Sequence, residues 1–222
     1  MDERELLDLY EARGGEELYD AAKVAYDAAL AEAPEDPLLL RDYGYLLECH
    51  GRRTLEAALA AYERALELDP GSEKTLLQLL HAQASLGRHD EAIARCLHPD
   101  DAFGHRCLAT AYLGAGDLAR AAQTVADGLA LAPGDAGLIE LDGDVLARTG
   151  NPEEALTRWR RALELDPGNL SPSYSSAFLL QREGRVEEAA AQWREIVSWC
   201  EARGYELDAE WPRRELARLA PG

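Results

Sequence analysis

Lysine is nearly missing from this chain: of its 23 basic residues only Lys23 and Lys74 are lysines, and 42 acidic residues leave a formal charge of −19. A field of that sign repels phosphate backbones and anionic lipid surfaces, so neither nucleic acid nor a membrane is expected as a partner. Phenylalanine occurs twice in 222 residues, and runs of β-branched and aromatic residues are sparse, so no β-sheet is expected. No apolar window approaches the length needed to span a bilayer. The opening Met1-Asp2-Glu3-Arg4-Glu5 is charged where a secretory leader would carry an apolar core, which points to a cytoplasmic protein. Cys49, Cys96, Cys107 and Cys200 are scattered, unlike a disulfide framework, and read as reduced thiols. Asn169-Leu170-Ser171 is followed by Pro172 and preceded by no leader, so it carries little meaning as a glycosylation site. Phosphate loops, HExxH and GxSxG elbows are all missing, and no cofactor or catalytic residue is expected.

What the chain does have is internal repetition. Glycines recur at Gly15, Gly51, Gly87, Gly116, Gly150 and Gly184, spaced by 36, 36, 29, 34 and 34 residues, and each is read as a turn between helices. An alanine follows each: Ala22, Ala58, Ala92, Ala121, Ala155 and Ala189. Four residues later stand Tyr26, Tyr62, Cys96, Val125, Trp159 and Trp193, on the same face of a helix. Small residues that permit close approach, alternating with bulky ones that fill the gap, make an interior seam. Pro34, Pro70, Pro99, Pro133 and Pro167 end these second helices. Just beyond them Asp36, Ser72, Asp101, Asp135 and Asn169 are placed to accept bonds from the free amides of the next helix. The pairs Glu153 and Glu154, and Glu187 and Glu188, open second helices where the backbone dipole favours negative charge. First helices carry their own stripe, as in Leu40, Tyr43, Gly44 and Leu47, or Ile139, Gly143 and Leu146.

In the unit from Ala136 to Asn169, Gly143, Gly150, Ala155, Trp159, Ala162 and Pro167 fall on one spacing, and here the chain resembles the tetratricopeptide repeat family. The likeness extends over about six units, roughly 1–36, 37–72, 73–101, 102–135, 136–169 and 170–203, with a capping helix at about 208–220. It implies an all-α solenoid in a single domain, with antiparallel hairpins stacked into a right-handed superhelix whose first helices line an inner groove for peptides or partner helices. Two departures stand out. In the first two units seven residues, against five elsewhere, separate the turn glycine from the alanine, so longer hairpin loops are expected there. In the third, Pro99 comes early, shortening the second helix by about 7 Å and loosening the stack.

Projection of the first helices leaves an outward face that the resemblance assigns to the groove. It carries Arg41 and Tyr45, then Lys74, Gln78 and His81, then Arg106 and Thr110, then Glu140, Asp144 and Arg148, then Tyr174, Phe178, Gln181 and Arg182. Aromatic anchors among polar groups suit peptide recognition. Tyr174 and Phe178 have small neighbours that would leave a ring accessible, while packing of Phe178 on the adjoining helix is an equal alternative. Arg41, Arg106, Asp144 and Arg148 are expected to orient a partner. The lysine, asparagine and arginine set with which some relatives grip chaperone tails is missing, since no asparagine accompanies Lys74, Arg41 and Arg106.

These features describe an adaptor, monomeric or a weak homodimer, binding another protein or peptide. The alternatives are a scaffold that self-associates through its ends, where Trp199 and Trp211 serve as cover or as a dimer contact, and a zinc- or redox-responsive variant. The latter would use Cys96, His98, His105 and Cys107, which lack the paired knuckle spacing of a zinc site, so no metal is expected.

Overall fold

The computed structural model describes residues 1–51, 54–97, 99–205 and 208–219, apart from the side chain of Ala12. Among the described residues there are thirteen α-helices and no strand. They are α1 (Glu3–Arg13), α2 (Glu16–Glu32), α3 (Pro37–His50), α4 (Leu55–Leu68), α5 (Glu73–Ser85) and α6 (His89–Arg95), followed by α7 (Ala102–Ala115), α8 (Leu118–Leu131), α9 (Ala136–Arg148), α10 (Pro152–Leu165), α11 (Ser171–Arg182), α12 (Val186–Glu201) and α13 (Glu210–Leu219). The chain divides into two compact units, residues 1–97 and 98–222. Within each, consecutive helices pair as hairpins and each hairpin packs on the next, as the all-α helical-repeat reading requires.

Helix starts follow the caps. Asp36 accepts from the amides of Leu38 and Leu39 at 2.8 and 3.2 Å, Asp101 from Gly104 at 2.7 Å and Asp135 from Leu138 at 2.8 Å. Ser72 accepts more weakly from Thr75 at 3.4 Å, and Asn169 from Ser171 at 3.0 Å. Each satisfies an amide that the first turn of a helix leaves without a partner. Hairpin turns use the left-handed backbone region open to glycine, as at Gly116 (φ 76°) and Gly184 (φ 73°).

The seam is closed. All six repeat alanines, from Ala22 to Ala189, have no exposed area, and their bulky partners Tyr26, Tyr62, Cys96, Val125, Trp159 and Trp193 are at most 8% exposed. The bulky ring of the second helix lies on a small residue of the first. A Cβ built on Gly44 would sit 2.6 Å from the Tyr62 ring, and one on Gly143 would sit 2.5 Å from Trp159 Nε1.

Two expectations need correction. The additional residues of the first unit do not lengthen its loop: only Gly14 and Gly15 separate α1 from α2, and the surplus extends α2 to 17 residues. The longer loop expected in the second unit falls on positions 52 and 53, which lie outside the described residues. In the third unit α6 has seven residues where α4, α8 and α10 have fourteen, a loss of about 10 Å rather than 7 Å. The helix ends before Pro99 can clash with it, because the Cys96 amide already turns to Ile93 O at 3.0 Å. The boundary between the two compact units falls at this short hairpin.

At the C-terminal end α13 packs on α12, beginning at Glu210. Position 220, where the capping helix was expected to end, lies outside the described residues. Trp199 donates its indole N–H to Pro167 O at 3.1 Å and lies beneath the Arg203 guanidinium, 4.0 Å from its ring centre.

The fit of Gly143 under Trp159 predicts the effect of filling it. Gly143→Val is expected to lower unfolding free energy by about 2 kcal/mol or more, because two methyl groups must displace a ring that already fills the gap. Urea denaturation of parent and variant measures this.

Candidate functional site

In the first unit, α3 and α5 carry the expected positions. Arg41 directs Nε and Nη2 onto one oxygen of its neighbour Asp42, at 2.8 and 2.6 Å, so its charge is largely met within α3. Tyr45 donates its hydroxyl to Glu11 at 2.9 Å. Lys74 is exposed, and surrounding protein followed by the Arg41 charge lowers its pKa. Gln78 is half-buried with no partner for Oε1 among the described residues. His81 retains contact with solvent, yet nearby protein mass lowers its pKa.

In the second unit the predicted residues divide between structural and accessible roles. Thr110 is buried at 7% exposure and donates its hydroxyl to Arg106 O at 2.9 Å, so it presents no surface to a partner. Arg106 lies 3.9 Å from Asp135, with its guanidinium 5.1 Å from the centre of the Phe103 ring. Glu140 accepts from Asn169 Nδ2 at 2.7 Å and from the Ser171 hydroxyl, and burial raises its pKa despite those bonds. Gln181 is half-buried.

Arg148 and Arg182 stand one repeat apart and do the same thing. Arg148 Nη1 reaches back 35 residues to Leu113 O at 2.6 Å, and Arg182 Nη2 to Ala147 O at 3.3 Å. Both acceptors lie in the last turn of the preceding first helix, whose carbonyls have no partner within the helix. A cation there also meets the negative end of the helix dipole. The two arginines therefore fasten α9 to α7 and α11 to α9, a role that their position on the outward face did not suggest.

Between these contacts lies a cavity of about 350 Å³. Leu113, Ala147 and Leu179 line its apolar part, the edge of Trp159 and the half-exposed Phe178 ring form walls, and Asp144, Arg148, Arg182 and Ser175 supply polar groups. Four predicted residues, Asp144, Arg148, Phe178 and Arg182, thus meet at one place. Asp144 accepts the Trp159 indole N–H at 3.0 Å. Burial, reinforced by the neighbouring Glu140 charge, pushes its pKa up to about 7.

A larger recess of about 450 Å³ lies on the second-helix side, between α10 and α12. Among its charges, Arg185 pairs with Glu153 at 2.5 Å and with Glu188 at 2.6 Å.

Tyr174 and Phe178 enter an aromatic cluster with Trp193 and Trp211, with centroids 5.3 to 5.8 Å apart. Trp211 was expected to act as cover or as a dimer contact; it lies against the Phe178 ring at 5.7 Å while remaining 38% exposed. Projection of single helices missed it, because α13 follows a turn whose direction no periodicity specifies. Its one visible signal was a tryptophan in the first turn of a terminal helix. Ser175 and the Leu113 carbonyl were missed for a similar reason: neither residue type stands out in the sequence.

Among the described residues no group of three or more potential metal ligands converges. Of the four zinc candidates, His98 lies outside the described residues, Cys96 and Cys107 are buried, and His105 Nδ1 lies 2.8 Å from Asp101 O.

A tetratricopeptide repeat family model matches residues 8–73 and 141–198, more than half of the chain. No curated protein matches the sequence. A crystal structure of TTC0263, a thermophilic tetratricopeptide repeat protein of Thermus thermophilus, aligns over 83% of this chain and 98% of its own, with a TM-score of 0.60 and 25% identity. A structure of the human IFIT1 dimer with m7Gppp-AAAA aligns over 96% of this chain and 58% of its own, with a TM-score of 0.53; at 15% identity that likeness concerns the fold alone.

The raised Asp144 pKa has a thermodynamic consequence. An unfolded aspartate titrates near ~3.9, so between that value and about 7 the folded chain holds more protons than the unfolded one. Stability contributed at this site therefore falls as pH rises through that window. Asn in its place can still accept the Trp159 N–H. Asp144→Asn is expected to gain on the parent progressively from about pH 4 to 7 and to be the more stable protein above pH 7, as read from urea midpoints across a pH series.

Proposed function

Since the chain belongs to the tetratricopeptide repeat family, we propose that it is an adaptor that performs no reaction and holds a segment of another protein against the outward faces of its first helices. The observation that carries this reading is the cavity between α9 and α11, where Asp144, Arg148, Phe178 and Arg182 surround an apolar interior. A recess of about 350 Å³ suits one large aliphatic or aromatic side chain. The polar rim would fix the direction of the peptide backbone around that anchor. Because both arginines are already held by carbonyls, little side-chain entropy is lost when a partner meets them, which favours orientation.

On this reading the first unit offers a separate polar face, made by Arg41, Tyr45, Lys74, Gln78 and His81. Thr110 contributes only to packing, and Arg106 and Glu140 chiefly support their neighbours. The adaptor reading also agrees with the charge: a chain at −19 attracts partners with basic or neutral binding segments and repels polyanions.

Filling the cavity tests the proposal without disturbing the arginine contacts. Ser175→Trp is expected to weaken binding of peptides selected from a random displayed library on the parent protein by at least about tenfold, equivalent to ~1.4 kcal/mol. Its thermal midpoint is expected to stay near that of the parent. Unchanged affinity in a folded variant would rule the cavity out as the anchor site.

A further inference from the structure

Trp159 and Trp193 occupy the same place in successive repeats, 34 residues apart. Trp159 has an acceptor for its indole N–H in Asp144. The residue 34 positions after Asp144 is Phe178, which has none to offer. Trp193 has no exposed area, and its Nε1 lacks a hydrogen-bond partner among the described residues. A buried donor left this way costs roughly 1–3 kcal/mol. An edge-on contact with a ring face recovers only part of that.

What covers Trp193 is itself at the surface. Phe178 meets it edge to face at 5.3 Å and 84°, and Trp211 does so at 5.5 Å and 80°. Phe178 is 45% exposed and Trp211 38%, and they touch each other across α11 and α13. Two adjoining aromatic rings, from separate helices and open to water, lie over a buried donor that lacks an acceptor. Phe178 also forms one wall of the cavity, so this surface continues the proposed anchor site.

We propose that Phe178 and Trp211 form a docking surface for a partner segment that carries an aliphatic side chain flanked by lysine or arginine, with a main-chain carbonyl of that segment accepting the Trp193 indole N–H once Phe178 turns aside. This rests on the adaptor reading above and specifies the chemistry of its partner. The aliphatic group covers ring surface now in water. The basic flank follows from the charge of the whole chain, which stands at −19. A cation laid on the Phe178 or Trp211 face gains from the ring quadrupole as well. Arg148 and Arg182, the cations of the same cavity, keep their charge while bonded to carbonyls of the preceding helices, so the basic flank belongs over the exposed rings and the aliphatic side chain toward the cavity. An acidic segment would meet the repulsion of the whole chain.

The full chain has four tryptophans, and Trp→Phe variants assign their indole N–H signals in a ¹⁵N-correlated spectrum. The probes are acetyl-Lys-Leu-Arg-Leu-Lys-amide and its acidic counterpart acetyl-Glu-Leu-Glu-Leu-Glu-amide. The basic peptide is expected to move the Trp193 and Trp211 signals and leave Trp199 in place, while the acidic peptide moves none. Phe178→Asp supplies Trp193 with the acceptor that Trp159 already has; it should retain the fold, shift the free Trp193 signal and weaken the peptide at least tenfold. Trp211→Ala, a change on α13, should weaken it similarly. Equal or tighter binding of the acidic peptide, no movement of Trp193 and Trp211 with either peptide, or full binding to both variants would overturn the proposal. So would a dimer in sedimentation that Trp211→Ala disperses, since the surface would then belong to a second copy. If Ser175→Trp abolishes binding while Phe178→Asp does not, the cavity stands and the aromatic docking surface falls; if neither does, both fall.

Discussion

The contact on which the rest depends is the close approach of a small residue on a first helix to a large side chain on the second, seen most tightly where that side chain is a ring. Gly44 under Tyr62 and Gly143 under Trp159 leave no room for a Cβ without displacement of the ring. That approach determines how far the two helices of a hairpin stand apart, and it buries the repeat alanines completely. Because the side chain that fills the gap is often a ring with a polar edge, packing brings a second requirement with it. Tyr62 meets it by donating to Glu48 at 2.8 Å, and Trp159 by donating to Asp144 at 3.0 Å. Asp144 is thereby drawn into low-dielectric surroundings, and its raised pKa follows from a packing solution rather than from any catalytic arrangement.

The last full repeat solves the same packing problem without the acceptor. Phe178 replaces the carboxylate, the N–H of Trp193 is left without a partner, and the surface above it turns aromatic. Repetition makes this visible: a deviation in one unit can be measured against its neighbour because both have the same geometry around the ring. The arginine contacts repeat in the same way. Arg148 and Arg182 bond carbonyls 35 residues earlier, so the outward face in the second unit is held in place by the groups that give it positive charge.

The helical architecture was legible because the signals for it are local. A proline, a capping side chain just beyond it, a glycine turn and an alanine–ring pair each act within one or two turns of helix, and the structure uses each one where it stands. Legibility failed where a short segment could resolve in two ways. The surplus residues of the first hairpin could lengthen a loop or a helix, and good helix formers on both sides extended the helix. The face was legible only as a set of positions. Projection placed Thr110 beside Arg106, but burial against the adjoining helices removes Thr110 from the surface, and no pattern within α7 records that.

From the sequence alone came the all-α class, the repeat, the interior seam and the candidate face, all of which depend on spacing along one chain segment. Tertiary structure alone decided which of those candidates are engaged within the protein and which remain open. Whether Arg148 points to solvent or to Leu113 O, whether Asp144 finds an indole, and where Trp211 lands depend on distances between helices 15 to 35 residues apart. Those distances are set by the sizes of side chains packed between the helices, and helical periodicity carries no information about them.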